Sequence, residues 1–576
     1  MKRSVKDMLE LLGIAGGLFL LAWLSQSWFV RFDLTEDQRF TLSDATTALV
    51  EDIDEPLLFV IYLDGDLPSG FERLKAETKR MLEEFQVLNS NVQIRFENPS
   101  DNPDPQTRRD TYTQLRNQGL AAIQIEIEQV DGVRKQQIFP GAMASHKGRI
   151  WPVQLLIEQF ATAPETQINA SIQNLEYVLA SALRGLTQPL TKHIAFIDGH
   201  NGLSEMETAS LESVLERSYQ VSHFNLREYP VDSLTGGISL DLQMRQLNAY
   251  DLIILAKPRS TFSDLDLWLL DQYLMRNGRA IFLVEAVHAE LDSLSFAPEF
   301  LAYPILDATG LDAPLFTYGV RVNTALLQDL VCAGIPSDVS RKTLRPWAYF
   351  PLFLPQVEHP IAKNLNAIRM EFPTTLDTIA VPGVKKTALL LSSPYAKRQP
   401  TPGKVSLATL FNEPDRSRFQ ESALPTAMLL EGALPSFYAN RITPITSLGA
   451  APDVARDAKL LVVADGDFIK NQRNLVIPDI PRGLPLPLGF DQFSRQQFGN
   501  QDFMLNAVDY MLEGGGLIDV RGRDIVMRLL DQQRIQANRD LLTWGNALLP
   551  VLIVLLLTRL YQWRHRRRSH QHHTPS

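Results

Sequence analysis

Apolar runs of strand length alternate with amphipathic stretches from Leu57 to about Leu512, and a longer apolar run lies toward each end. Ser43 opens a capping pattern, which predicts a short helix over Ala45–Val50. Leu57–Leu63, LLFVIYL, is continuously apolar and predicts a strand buried on both faces. Phe71–Leu88 places Leu74, Met81, Leu82, Phe85 and Leu88 at helical spacing, with charges between them, and Val92–Phe96 alternates as a strand. Strand, helix and strand at this spacing predict a βαβ unit. A polar, Pro-rich stretch around Pro103 and Pro105 follows. Ile123, Ile125 and Ile127 then alternate with Gln124, Glu126 and Glu128. Asp131-Gly132 turns the chain, Gln137–Phe139 returns it, and His146-Lys147-Gly148 turns it again before Ile150–Val153, predicting a meander with one wet face. A helix over Gln167–Leu186 closes the unit, and Pro189 marks a boundary.

His193–Asp198, HIAFID, opens a second α/β pattern. It ends in the tight turn Gly199-His200-Asn201-Gly202 before a helix around Ser204–Ser218. Val221–Leu226 and Leu252–Leu255 are strands, the second ending in Lys257-Pro258-Arg259. Phe262–Arg276 is an amphipathic helix ended by Gly278, and Ala280–Val284 is the next strand. Alternating strand and helix requires a parallel sheet with right-handed crossovers. Ligands in such sheets bind beyond the carboxyl ends of the strands, here Asp198–Asn201, Lys257–Arg259 and Glu285–His288. Between Pro298 and Pro452 the apolar runs Tyr349–Leu354, Thr387–Leu391 and Ala427–Leu430 predict a sheet extension with long loops. Lys459–Ala464, KLLVVA, is one more buried strand, ending in Asp465-Gly466-Asp467-Phe468. Arg473–Gly489 reads as a Pro-rich surface loop, and Gln501–Leu512 as a helix stopped by Gly514-Gly515-Gly516. The first unit resembles a thioredoxin-like domain and the second a glutamine-amidotransferase-like domain. Without a CxxC pair the first resemblance carries no redox chemistry.

The ends read differently. Leu541–Trp563 carries no charged side chain between Leu541 and Leu557. At about 1.5 Å per residue, roughly 20 such residues cover a bilayer core. Trp544, Tyr561 and Trp563 stand where aromatic belts form, Pro550 interrupts the middle, and Arg559, Arg564, Arg566, Arg567 and Arg568 follow. The alternative is a buried core helix with a solvated basic tail. At the other end Lys2, Arg3 and Lys6 precede an apolar run from Met8 to Val30, longer than a signal-peptide core. Cleavage after Ser27 is the alternative to an uncleaved helix. The expectation is a two-pass protein of the bacterial inner membrane, with both termini cytoplasmic and Arg31 to about Asp540 periplasmic. The expected division is 1–30 as tip and first membrane helix, and 31–189 as the thioredoxin-like domain. The amidotransferase-like domain with Pro-rich insertions spans 190–524. Residues 525–576 form a juxtamembrane helix, the second membrane helix and a basic tail.

Composition sharpens this in two ways. The chain of 576 residues has a formal net charge of −10 although both tails are basic, which argues against nucleic-acid binding. Cys332 is the only cysteine, so an intrachain disulfide and a cysteine zinc site are excluded. Where amidotransferase enzymes carry a nucleophilic cysteine after a strand like Ala280–Val284, this chain has Glu285-Ala286-Val287-His288, and no G-x-S-x-G replaces it. His200, His288 and nearby carboxylates have no nucleophile to serve, and turn caps are the competing reading. Asp465 and Asp467 are either a cation pair or caps of the next turn. The expectation is therefore no catalytic residue, no metal and no cofactor, with Asp198, His200, Asn201, Lys257, Arg259, Asp465 and Asp467 as the ligand-binding candidates.

Five strings in order span the whole chain: RFDLTEDQRFTLSDAT, YLDGDLPSGFERLKAETKRMLEEF, HPIAKNL at His359–Leu365, VVADGDFIKN, and NAVDYMLEGGGLIDVRGRDIVMRLLD. Together they resemble the gliding-motility-associated ABC-transporter subunit family GldG. The resemblance implies a non-catalytic, membrane-anchored extracytoplasmic subunit. Its implied partners are a permease and a cytoplasmic ATPase, with membrane lipid and periplasmic envelope components around it. No P-loop G-x-x-x-x-G-K-[ST] occurs, so ATP hydrolysis would belong to a partner. Two other readings remain: a membrane-anchored hydrolase using the second α/β domain, and a structural periplasmic scaffold.

Overall fold

The fold is described from a computed structural model. It covers residues 41–129, 132–159, 162–231, 238–338, 343–444, 452–478, 480–513 and 539–570, with Gly13, Gly16, Gly516 and Leu517. The expected first membrane helix, apart from Gly13 and Gly16, and the expected juxtamembrane stretch from Ile525 to residue 538 lie outside these residues. Met1–Asp524 and Ile525–Ser576 are two separate compact units.

The first domain forms around β1 (Leu57–Ile61) and β2 (Val92–Phe96), which pair in parallel across the helix Ser69–Leu88. The Ser43 side chain accepts from the Thr46 backbone N–H and caps the helix Asp44–Glu51, as its sequence requires. The expected single meander is instead two sheets. β3 (Ile123–Gln129) and β4 (Gly132–Ile138) pair only with each other among the described residues. β5 (Gly141–His146) and β6 (Arg149–Gln154) join the main sheet antiparallel, in the order β2-β1-β5-β6. Two helical readings are also corrected. The Pro-rich stretch contains the helix Pro105–Asn117, in which only Leu115 is buried, so no apolar stripe announces it. Its start is local chemistry: Asp104 accepts from the Gln106 and Thr107 N–H groups, and Pro105 occupies the first turn. The helix expected over Gln167–Leu186 is two, Pro164–Gln173 and Leu175–Thr187, divided at Asn174.

The second domain is a seven-stranded sheet. Its parallel part is β7 (His193–Asp198), β8 (Gln220–Asn225), β9 (Leu252–Ala256), β10 (Arg279–Leu283) and, after a long excursion, β13 (Ala458–Val463). β11 (Val384–Leu391) and β12 (Pro425–Gly432) extend it antiparallel, giving the order β11-β12-β13-β10-β9-β7-β8. All five residues of β9 are buried. Ile253 and Leu255 join the core on one face, and Leu252 and Ile254 join the core on the other. A helix not anticipated, Leu240–Leu247, precedes β9. The helix Asp264–Met275 ends on Asn277, which takes the left-handed conformation at φ 64°, rather than on Gly278.

The excursion between β10 and β13 also builds small antiparallel sheets. One contains Cys332–Pro336 and Leu344–Phe353, packed around Trp347, Phe350 and Phe372. Arg473–Gly489 has little regular structure, yet Leu486 and Leu488 are buried, so it is partly a core segment rather than a surface loop throughout.

Among the described residues, the C-terminal unit contains the helix Arg539–His570, with Pro550 inside it. Its described side chains from Val551 to Leu557 are half or more exposed. Among the described residues, no helix is long and apolar enough to cross a membrane.

Candidate functional site

The register of the parallel strands decides what meets at their carboxyl ends. Leu283 lies opposite Ala256 on one side and Val463 on the other. The residues that follow, Lys257, Val284-Glu285 and Ala464-Asp465, therefore emerge side by side. Lys257 takes a left-handed backbone, φ 48°, while its N–H still donates to the Leu283 carbonyl at 2.9 Å. This fold-back buries the whole side chain, which is 1% exposed.

The Lys257 ammonium sits among carboxylates. Nζ lies 2.5 Å from Asp467 Oδ2, 3.6 Å from Glu290 Oε1 and 3.9 Å from Glu285 Oε2. Burial works against its charge, but Glu285 and Asp467 outweigh that and hold its pKa above the ordinary lysine value. Burial pushes the Glu285 carboxyl well above the usual range, opposed by Lys257. Burial and the Asp467 charge do the same to Asp465. Asp465 uses both oxygens on backbone, accepting from Asp467 N–H at 2.8 Å and Glu371 N–H at 2.9 Å. That is the turn-capping role. Lys470 approaches Asp467 Oδ1 at 3.5 Å.

Glu285, Asp465 and Asp467 each bring one carboxylate oxygen within 4.8 Å of the others, the spacing a cation needs. The protein supplies that cation itself, as the Lys257 ammonium. Gly466 is required here, because a Cβ on it would lie 2.5 Å from Glu285 Oε2 and 2.6 Å from Lys257 Cγ. The remaining recess, beside Asp465, Asp467 and Lys470, is about 30 Å³, room for only about two or three waters. The crevice where open α/β sheets bind their ligands is thus filled by an internal ion cluster.

The other candidates fall into neighbouring clusters. His200 is buried, stacks on Phe262 at 3.7 Å between ring centroids, and faces Asp266 Oδ2 from Nε2 at 3.2 Å. Asp266 also accepts from Ser263 N–H and Arg227. Burial opposes its charge, but the His200 and Ser263 hydrogen bonds prevail and lower its pKa to about 2. Asp198 pairs with His223 Nδ1 at 2.9 Å, and His223 Nε2 lies 3.3 Å from Glu212. The Asn201 side chain donates to Ser260, and its carbonyl accepts from Arg259 Nε. Arg259 also pairs with Glu290 at 3.0 Å, which links it to Lys257 through a shared carboxylate. Of the seven candidates, Lys257, Arg259, Asp465 and Asp467 thus belong to one network. Asp198, His200 and Asn201 do structural work around it. Glu290, Glu371 and Lys470 were absent from the sequence-based set, and Glu285 entered only as a strand-end residue. Their signal was position after a buried strand, without a motif.

No nucleophile stands at the turn after β10. Glu285 occupies it, and Val287–His288 continues into pairing with Glu299–Pro304. Cys332 lies in a separate small sheet, and burial pushes its thiol up to about 12.

This arrangement defines an α/β protein whose strand-end crevice is closed by its own charges. A family model described as an ABC-type uncharacterized transport system matches residues 191–507, and a domain of unknown function matches residues 36–145. The chain belongs to this ABC-transport auxiliary family. No curated protein matches it. Solved structures similar to it include the mmIFT52 N-terminal domain, 14% identical, covering 55% of this chain and 97% of that one at a TM-score of 0.30. Another is a putative ThuA-like protein from Parabacteroides merdae, 12% identical, covering 57% and 92% at 0.26. Likeness at this level carries no functional argument.

Proposed function

We propose that this protein is a non-catalytic, membrane-anchored extracytoplasmic subunit of an ABC transporter. It assembles with a permease and a cytoplasmic ATPase, in a system tied to gliding motility as in the GldG-like proteins it resembles. Membership of the ABC-transport family supports the transporter association. The observation that carries the non-catalytic reading is the closed crevice: Lys257 fills the strand-end position, and Glu285 stands where a nucleophile would. A hydrolase needs an open pocket and an activated nucleophile there. The strand order β2-β1-β5-β6 supports the thioredoxin-like reading of the first domain. The parallel order β8-β7-β9-β10-β13 supports an amidotransferase-like second domain.

For anchoring, the support is the sequence, which is uncharged from Leu541 to Leu557 and is followed by five arginines between Arg559 and Arg568. The basic flanks at each end support the reading of two membrane helices with both termini inside, in the bacterial inner membrane. The decisive experiment is affinity purification of the full chain from detergent-solubilised membranes, read by mass spectrometry. A permease and an ATPase are expected in stoichiometric amounts. Recovery from membranes without either would refute the transporter reading, and release by alkaline carbonate would refute the anchors.

A further inference from the structure

The two domains of the first unit enclose a cleft of about 350 Å³, within the size range of small-ligand sites. One wall carries Asn174, Tyr177 and Ser181, on one face of the paired helices that end at Thr187. The helix Asn500–Glu513 forms the opposite wall. Asp509 ties the two together at one end. It accepts from Arg184 at 3.2 Å and Tyr177 at 3.3 Å, and also from Tyr219.

Asn174 and Ser181 line the cleft, and Asn174 Oδ1 and Ser181 Oγ are buried in its wall without a hydrogen-bond partner; Asn174 is only 4% exposed. A buried acceptor left unmatched costs about 1–3 kcal/mol, so an occupant bearing N–H or O–H donors is favoured. Two unmatched charges line the same cleft, Glu158 and Arg217. Neither forms an ion pair among the described residues. Both reach solvent, yet desolvation raises the Glu158 carboxyl and lowers the Arg217 guanidinium, with no opposite charge to relieve either. A neutral polyol would satisfy Asn174 and Ser181 but neither charge. A polyamine or a dicarboxylate would satisfy one charge and leave the other.

We propose that this cleft binds a short linear peptide with both ends free. Its ammonium pairs with Glu158, its carboxylate with Arg217, and its backbone N–H groups reach Asn174 Oδ1 and Ser181 Oγ. The shortest occupant tested is a tripeptide, about 10 Å long when extended. This site is separate from the filled crevice, and it stands or falls independently of the transporter assignment.

The test is calorimetric titration of the full-length protein in detergent with Ala-Ala-Ala, Ala-Phe-Ala, Ala-Lys-Ala and Ala-Asp-Ala. At least one free tripeptide is expected to bind. N-acetylation or C-amidation should each weaken it about tenfold, the scale of a lost charge pair partly shielded from water. In Glu158→Gln the penalty for acetylation should vanish while that for amidation persists, and Arg217→Gln should do the reverse. Both variants remove only surface charge, and unchanged melting temperatures will confirm that they fold. Absence of binding by all four peptides would overturn the proposal. So would indifference to blocked ends, wild-type affinity in both variants, or binding of a neutral trisaccharide instead.

Discussion

Replacing Lys257 by Met removes a buried ammonium and leaves its carboxylates facing one another. Asp467 loses its 2.5 Å partner, and Glu285 and Glu290 lose a cation within 4 Å. Breaking a buried ion pair by removing one member typically costs about 3–5 kcal/mol. For a folded unit of roughly 500 residues, about 2.1 cal/mol/K per residue gives an unfolding entropy near 1 kcal/mol/K, so Tm should fall by about 3–5 °C. The pH dependence has a definite sign. Glu285 and Asp465 have folded pKa values above their unfolded ones. Their protonated forms therefore favour the fold, an advantage complete below the unfolded carboxylate range and lost as pH rises through the folded values. Without Lys257, whose charge opposes the rise, Glu285 holds its proton more tightly, so the deficit of Lys257→Met should shrink from pH 7.5 to pH 5. Adding Asp467→Asn should restore part of the loss, because it removes the carboxylate nearest the lost ammonium while Glu285 and Glu290 keep theirs. The assay is thermal unfolding of the purified full chain at both pH values. A Lys257→Met protein as stable as wild type at pH 7.5, or a double variant whose losses simply add, would refute the charged-cluster reading.

Two further predictions rest on local contacts. The hydrogen bonds to Asp198 and Glu212 raise the His223 pKa to about 10. The stabilising effect of the charged ring should therefore be complete below about pH 6.5, the unfolded histidine value, and disappear as pH rises through about 10. Melting curves of wild type and His223→Gln should accordingly differ most at pH 6 and converge only above about pH 10; a constant gap would contradict this. In Gly185→Ala, the new Cβ would lie 2.3 Å from Trp151 Cζ3, against a rigid ring. Overpacking of about 1–3 kcal/mol is expected, seen as a lowered Tm and altered tryptophan fluorescence, and an unchanged protein would show that the helix Leu175–Thr187 shifts freely.

What the sequence settled by itself was local. An all-apolar pentapeptide such as Leu252–Ala256 has no face to give to water, so it becomes a central strand in any compact fold. Ser43 and the periodic leucines up to Leu88 fix their helices through side chains at most a few residues away. The same logic predicted β7 to β10 as strands of a parallel sheet, as their pairing shows. The failures were elements whose signal is not hydrophobic. Pro105–Asn117 is a polar helix held by its cap, and the break at Asn174 interrupts an otherwise helical pattern. Only the tertiary structure decided that β3 and β4 leave the main sheet, since alternation fixes a strand but not its partner. It also decided what the strand-end residues do. Lys257 and Asp467 are 210 residues apart, and nothing local couples them. The register of β9, β10 and β13 brings them into contact, and burial there turns a lysine and its carboxylates from candidate ligand groups into one another's partners.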